Sequence, residues 1–270
     1  MRLGASRPAP GEGTTVTLDM FRLDGRTALV TGGSRGLGLA MARGLARAGA
    51  RVLLNGRDRA RAEESARQLR DESLAAEALA FDVTDVAAVD GAFAALDARG
   101  VGVDILINNA GIQHRAPLLD FDLADWRRVI DGHLTSTFVV TQRAARRMAQ
   151  RGRGKVVNIC SLMSEVARPS IAPYAAAKGA LKQLTRAMAV EFAPRNILVN
   201  GIGPGYMATD MNQALMDNPE FDAFVKKRTP LGRWGRPEEL AGAALFLSSD
   251  ASSFMTGQVI YIDGGVLASL

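Results

Sequence analysis

The sequence predicts a single α/β domain: a doubly wound parallel sheet of about seven strands with helices on both faces. Strand-like and helix-like runs alternate along the chain from residue 20 onward. A glycine-rich turn joins the first strand to the first helix. No internal repeat or linker divides the chain.

The elements follow in order. Thr27–Thr31 reads as a short buried strand, and an apolar helix runs from the glycines through Ala48. Arg51–Asn55 is the second strand and Arg59–Arg70 the second helix. Ala76–Phe81 is a strand ending at Asp82, and Asp85–Arg99 is helical. Ile105–Asn108 is the fourth strand, followed by a long helical region over Leu123–Gln150. Lys155–Cys160 is the fifth strand, and Tyr174–Phe192 a long helix. Ile197–Asn200, a helix over Pro237–Leu247 and the strand Val259–Ile262 complete the sheet. The segment Gly205–Gly232 interrupts the last βα unit as a looser stretch, a common form for an active-site lid.

Composition excludes several classes of function. At 270 residues and 47% hydrophobic content, the chain can bury a large core. The net charge of +5 is scattered, and the richest basic stretch, Arg57 to Arg70, alternates with Glu63, Glu64 and Gln68 as a solvated helix face does. Nothing in it resembles a nucleic-acid surface. No run is long and apolar enough to span a membrane. The lone Cys160 allows no intrachain disulfide, which fits a reducing, cytoplasmic setting, and it reads as a core residue. Residues 1–19 are rich in Pro and Gly and lack the apolar centre of a signal peptide. They read as a disordered leader before a domain over 20–270, and Met20 is an alternative start.

Two motifs carry the chemistry. In Thr31-Gly-Gly-Ser-Arg-Gly-Leu-Gly38 the chain leaves a strand, turns on Gly32, Gly36 and Gly38, and enters a helix. Glycines permit close approach of backbone to a phosphate, and the helix start offers free N–H groups and the positive end of its dipole. The second motif is Ser161 with Tyr174-Ala-Ala-Ala-Lys178. Tyr174 and Lys178 lie one helical turn apart on the same face. A nearby ammonium favours the phenolate, so such a pair can move a proton near neutrality.

These motifs resemble the classical short-chain dehydrogenase/reductase family over residues 21–270, a family with a Rossmann fold. Asn108-Asn109-Ala110-Gly111, the pair Asp82-Val83, the set Ser161, Tyr174 and Lys178, Pro204-Gly205 with Met207 and Thr209, and Asp263-Gly-Gly265 all match in order. The resemblance implies a nicotinamide cofactor held by Gly32, Ser34, Arg35, Gly36, Leu37, Gly38, Asn55, Asp82, Val83, Asn109, Ala110 and Gly111. The nicotinamide side would fall to Pro204, Gly205, Met207 and Thr209. It makes Tyr174 the acid/base, Lys178 the group that lowers its pKa and holds the nicotinamide ribose, and Ser161 a hydrogen-bond partner of the reacting oxygen. No metal is expected.

An acid at the end of strand two normally accepts the ribose 2′-hydroxyl of NAD. Here that position is Gly56, followed by Arg57, with Arg35 in the glycine turn. The two guanidinium groups favour the 2′-phosphate of NADP; alternatively both face water. The family's usual relay asparagine is replaced by His133 in Ile130-Asp-Gly-His-Leu-Thr135. His133 either keeps the relay, titrating near neutrality, or packs as a buried neutral side chain.

Ile112–Pro117, Asn158–Arg168 and Lys227–Trp234 resemble the gluconate 5-dehydrogenase branch of the family, with His114 in place of an arginine. That branch interconverts D-gluconate and 5-keto-D-gluconate. Arg115 and Arg168 are the candidate readers of the substrate carboxylate; Arg168 could instead pair with Glu165. A 3-oxoacyl carrier-protein reductase, a broad carbonyl reductase and a non-catalytic NADP-binding regulator are the competing functions. The resemblance also implies a homotetramer built through the two long helices.

Overall fold

The pattern of buried residues along each strand decides where the helices pack. In β1 (Thr27–Val30), Ala28 and Val30 face one side of the sheet and Leu29 the other. β2 (Arg51–Gly56) repeats this with Val52 and Leu54 against Leu53, and β4 (Ile105–Asn108) with Ile105 and Ile107 against Leu106. Successive side chains on a strand point to opposite faces, so a strand apolar at every position needs cover on both. α1 (Gly36–Arg47) and α9 (Ala241–Ser248) cover the first face. α3 (Val86–Ala98), α5 (Ser136–Arg151) and α6 (Ala172–Phe192) cover the second.

The computed structural model describes residues 18–269. The leader assigned to residues 1–19 lies outside them except for Leu18 and Asp19, which open a 3-10 turn over Leu18–Phe21. Seven parallel strands take the order β3-β2-β1-β4-β5-β6-β7, with β3 at Ala76–Ala80, β5 at Gly154–Ile159, β6 at Ile197–Pro204 and β7 at Val259–Ile262. The order reverses between β1 and β4, and the crevice beyond the carboxyl ends of those strands is where such sheets bind ligands. α2 (Arg59–Asp71) is capped by Asp58, whose carboxylate accepts from the Arg61 amide. A buried polar chain ties the middle together. Asn108 donates to Thr141 and Asn158, and Asn158 donates to Thr185, at 2.8–2.9 Å. It joins β4 and β5 to α5 and α6.

Four departures from the sequence reading concern the site. β6 continues to Pro204 instead of stopping at Asn200. A Cβ on Gly203 would lie 2.3 Å from the Tyr261 ring, so this strand uses glycines to admit β7's side chains. Such glycines read locally as a break. The long helical region is α4 (Leu123–Ile130), a π-helical turn over Asp131–Thr135, and α5. α6 begins at Ala172 with Pro173 in its first turn, two residues before Tyr174. The segment expected to be loose carries α7 (Gln213–Met216) and α8 (Pro219–Arg228), the latter capped by Asn218.

Candidate active site

The glycine turn is braced from the neighbouring strands. Gly32 and Gly36 have φ of +59° and +51°, a region closed to most side chains. A Cβ on Gly38 would stand 2.2 Å from the Gly32 carbonyl oxygen, so the first turn of α1 sits directly on the loop. Thr31 accepts from the amides of Asn109 and Ala110 at 2.9 and 3.0 Å. Asn109 donates back to the carbonyls of Thr31 and Gly32, both at 3.0 Å. The side-chain donors of Asn109 are therefore committed to the protein. Asn55 does the same from β2, donating to the carbonyls of Leu79 and Phe81 and accepting weakly from the Gly32 amide. The N-cap of α1, Arg35, makes no side-chain cap, which leaves the first amides of α1 to a ligand.

The loop opens into a cleft of about 480 Å³. Gly32, Ser34, Arg35, Gly36, Leu37, Asn55, Arg57, Asp82, Val83, Asn109, Ala110 and Gly111 line one part. His133, Ser161, Tyr174, Lys178, Pro204, Gly205, Met207 and Thr209 line the rest. Gly38 lies beneath the loop and does not line it.

At the β2 end, Gly56 leaves room for Ser34: a Cβ there would meet the Ser34 hydroxyl at 3.0 Å. Arg35 and Arg57 both reach this end. Arg57 is largely exposed and stands 3.8 Å from the Asp82 carboxylate, a loose pair that leaves its guanidinium free to turn. Asp82 accepts from the Thr84 amide and hydroxyl. Arg61, in the first turn of α2, joins the same wall. The sequence reading missed Arg61, because Arg57 lies before the Asp58 cap and no helical spacing links the two.

At the other end, Tyr174 receives a hydrogen bond from Ser161, which opposes the rise in its pKa caused by burial. The Ser161 hydroxyl also accepts from the Met163 amide at 3.1 Å. Lys178 is buried, and its ammonium donates to the Ile159 carbonyl at 2.5 Å. It sits 5.7 Å from the centre of the Tyr174 ring. The expected lowering of the Tyr174 pKa by Lys178 is not present in this arrangement; burial raises the phenol and outweighs the Ser161 hydrogen bond. Burial also brings the Lys178 ammonium down to about 8.

His133 is buried in the π-helical turn, a kind of helix defect that often marks functional sites. Its Nε2 lies 2.6 Å from the Ile112 carbonyl oxygen, which places the proton there, and Nδ1 has no partner among the described residues. A Cβ on Gly111 would strike the imidazole at 2.1 Å, so the glycine of that motif makes room for the ring. The His133 and Tyr174 rings meet edge to face at 5.1 Å. Burial first, then the Lys178 charge, hold the His133 pKa at about 3. The expectation that it titrates near neutrality is corrected: the ring is neutral across that range because a cation there would be both desolvated and beside an ammonium.

Arg115 and Arg168 lie beyond the lining of the cleft, and burial first, then the nearby Arg168 charge, lower the Arg115 pKa. Arg168 also acts on the hydroxyls of Tyr174 and Tyr206. Glu165 does not pair with Arg168. It is held by Lys182 and by the Tyr261 hydroxyl instead, which removes the reading of Arg168 as one half of a structural ion pair. Among the described residues neither arginine has a carboxylate partner. His114 turns away to α4, 3.3 Å from Asp125, and packs on Phe121. Tyr206, which sequence reasoning passed over, packs like Tyr174 against a small cluster of Leu162, Met163 and Ile171.

Residues 32–267 match a family model described as enoyl-(acyl carrier protein) reductase, one of the short-chain dehydrogenase/reductase models. The chain is 52% identical over 252 residues to gluconate 5-dehydrogenase of Gluconobacter oxydans, covering 93% of this chain and 98% of that protein. It is 45% identical to 5-keto-D-gluconate 5-reductase of Escherichia coli K12, covering 93% and 99%. A solved gluconate 5-dehydrogenase from Burkholderia cenocepacia, in complex with NADP and tartrate, is 50% identical with a TM-score of 0.91, covering 94% of this chain and 99% of that one.

Proposed function

The chain belongs to the short-chain dehydrogenase/reductase family, and on that premise we propose that it interconverts D-gluconate and 5-keto-D-gluconate as an NADP-dependent oxidoreductase. The observation that carries the substrate is the pair Arg115 and Arg168: two neighbouring guanidinium groups without a carboxylate partner among the described residues, one of them acting on the Tyr174 hydroxyl. Such a pair is an open seat for a carboxylate.

The residues of the cleft fit the cofactor. The glycine turn leaves backbone amides free at a helix start, and Gly56 with Arg35 and Arg57 suits a 2′-phosphate where an acid would repel it. When bound, NADP(H) would supply the hydride chemistry at the substrate carbon and, in its oxidised form, a cationic ring. Tyr174 then accepts the proton of the C5 hydroxyl during oxidation and returns it to the keto oxygen during reduction. Ser161 orients that oxygen. Lys178, turned toward Ile159, holds the ribose side of the cleft and keeps a positive charge near Tyr174. His133 packs as a neutral donor to Ile112 and shapes the wall behind Tyr174.

We infer a homotetramer in a reducing, cytoplasmic setting. The single cysteine is buried, and α5 and α6 each present an apolar side chain to the outside, Phe138 and Val190. Among the described residues no helix is long and apolar enough to cross a membrane.

The test is a substrate panel. D-gluconate with NADP and 5-keto-D-gluconate with NADPH should turn over well above the same pairs with NAD(H) and above acetoacetyl thioesters. Faster reduction of the thioesters would assign the enzyme to acyl chains instead. Absence of turnover on every carbonyl tried would favour a regulator.

A further inference from the structure

Arg168 is held in an unusual way. It lies on the loop between β5 and α6, and its guanidinium makes one weak contact with protein oxygen, the Pro169 carbonyl at 3.5 Å. Its main support is a ring: the guanidinium carbon stands over Phe221, 5.4 Å from the ring centre. Cation–π stacking holds a guanidinium in place while leaving its N–H groups open to a ligand.

Phe221 is itself fixed from several directions. It lies in the first turn of α8, where its amide is capped by the Asn218 side chain at 3.0 Å. The next residue, Asp222, accepts from the Trp234 indole at 2.8 Å. The Phe221 ring packs against Tyr206 and Trp234, with centroids at 6.1 and 6.4 Å. Tyr206 in turn packs against the cluster of Leu162, Met163 and Ile171, against which Tyr174 also packs. The helical segment between β6 and β7 thus reaches the substrate end of the cleft through one aromatic ring.

We infer that Phe221 is a positioning residue for carboxylate recognition: α8 keeps Arg168 aimed at the substrate, and so sets the affinity for the acid without touching it. The inference rests on the reading of Arg168 as a carboxylate reader.

Four variants test it: Arg168→Met, Phe221→Leu, Phe221→Tyr and the double variant Arg168→Met with Phe221→Leu, each assayed for KM and kcat on D-gluconate and for KM on NADP. Phe221→Leu should raise the gluconate KM roughly three- to tenfold, the scale of a lost cation–π contact and loosened arginine, with kcat and the NADP KM unchanged. Phe221→Tyr keeps the ring and should restore the wild-type KM. In the Arg168→Met background, Phe221→Leu should add nothing, because its effect passes through Arg168. Thermal melting accompanies each assay, and Phe221→Met replaces the leucine variant if that one melts early. An undiminished effect of Phe221→Leu in the Arg168→Met background overturns the inference, as does a tyrosine variant as impaired as leucine. If Arg168→Met raises KM and Phe221→Leu does not, the positioning role fails alone. If Arg168→Met leaves the gluconate KM unchanged, the carboxylate reading fails and takes the inference with it.

Discussion

Tyr174 and His133 touch ring to ring, yet physical chemistry assigns them opposite behaviour. Tyr174 has a hydrogen-bonding partner in Ser161 and faces the cleft, so its hydroxyl is placed for proton transfer. Tyr174→Phe should lower kcat by about a hundred- to ten-thousandfold while NADPH binding, followed by fluorescence, changes little. Substantial residual turnover would place the proton donor elsewhere. His133 offers no near-neutral titration. Its pKa in the folded protein is about 3, against an ordinary value of 6.5. Below pH 6.5 the unfolded chain takes up a proton that the folded one refuses, so stability present above that pH drains away as pH falls toward 3. Wild type should lose about 2 kcal/mol more than His133→Asn between pH 6.5 and 5, since one pKa unit is worth about 1.4 kcal/mol. Urea melts at the two pH values measure this; parallel losses in both proteins would mean the imidazole is protonated in place. Arg57 acts at the far end of the cleft. Arg57→Ala should raise the NADPH KM about tenfold and the NADH KM little, the scale of one charge-assisted contact at a partly exposed site. Equal effects on both cofactors would show that Arg57 does not read the 2′-phosphate.

At the scale of elements, the glycine turn and α1 behave as one piece. Gly38→Ala should push the loop away from α1, because the added carbon meets the Gly32 carbonyl, a backbone atom that cannot swing aside. Overpacking of this kind costs about 1–3 kcal/mol. NADPH affinity measured by titration should fall at least tenfold, and retained affinity would mean that the loop absorbs the strain. The strands and helices were largely readable from periodicity, since β1, β2 and β4 are apolar at nearly every position and lie between helices. The ends were less readable. β6 hides its last four residues behind glycines whose purpose, admitting Val259 and Tyr261, lies on another strand. The π turn at Asp131–Thr135 left no local mark, because its residues suit an ordinary helix equally well. α7 and α8 sit in a stretch whose Pro, Asn and Gly residues signal turns. There the Asn218 cap and Pro219 start a short helix that aromatic packing then stabilises.

For the molecule as a whole, the outer faces of α5 and α6 are the surfaces through which we expect four chains to meet. Phe138 is 46% exposed and Val190 78% exposed in the single chain. Phe138→Asp should shift the assembly from four chains toward two or one in light scattering, since a buried unpaired charge at an interface costs several kcal/mol. An unchanged mass would move the interface off α5.

The motifs along the chain were enough for the sheet, the glycine turn and the Ser161-Tyr174-Lys178 set, because each depends on residues close in sequence or on a backbone shape that few residues allow. Partners far apart in sequence had to await the folded chain. Glu165 chooses Lys182 and Tyr261 over Arg168, and Lys178 turns to Ile159 rather than to the Tyr174 oxygen. His133 is neutral because the fold buries it and sets it near Lys178, and Arg168 is held by a ring from α8. Charge state and aim are properties of surroundings, and those surroundings come from segments that meet only when the sheet has closed the cleft.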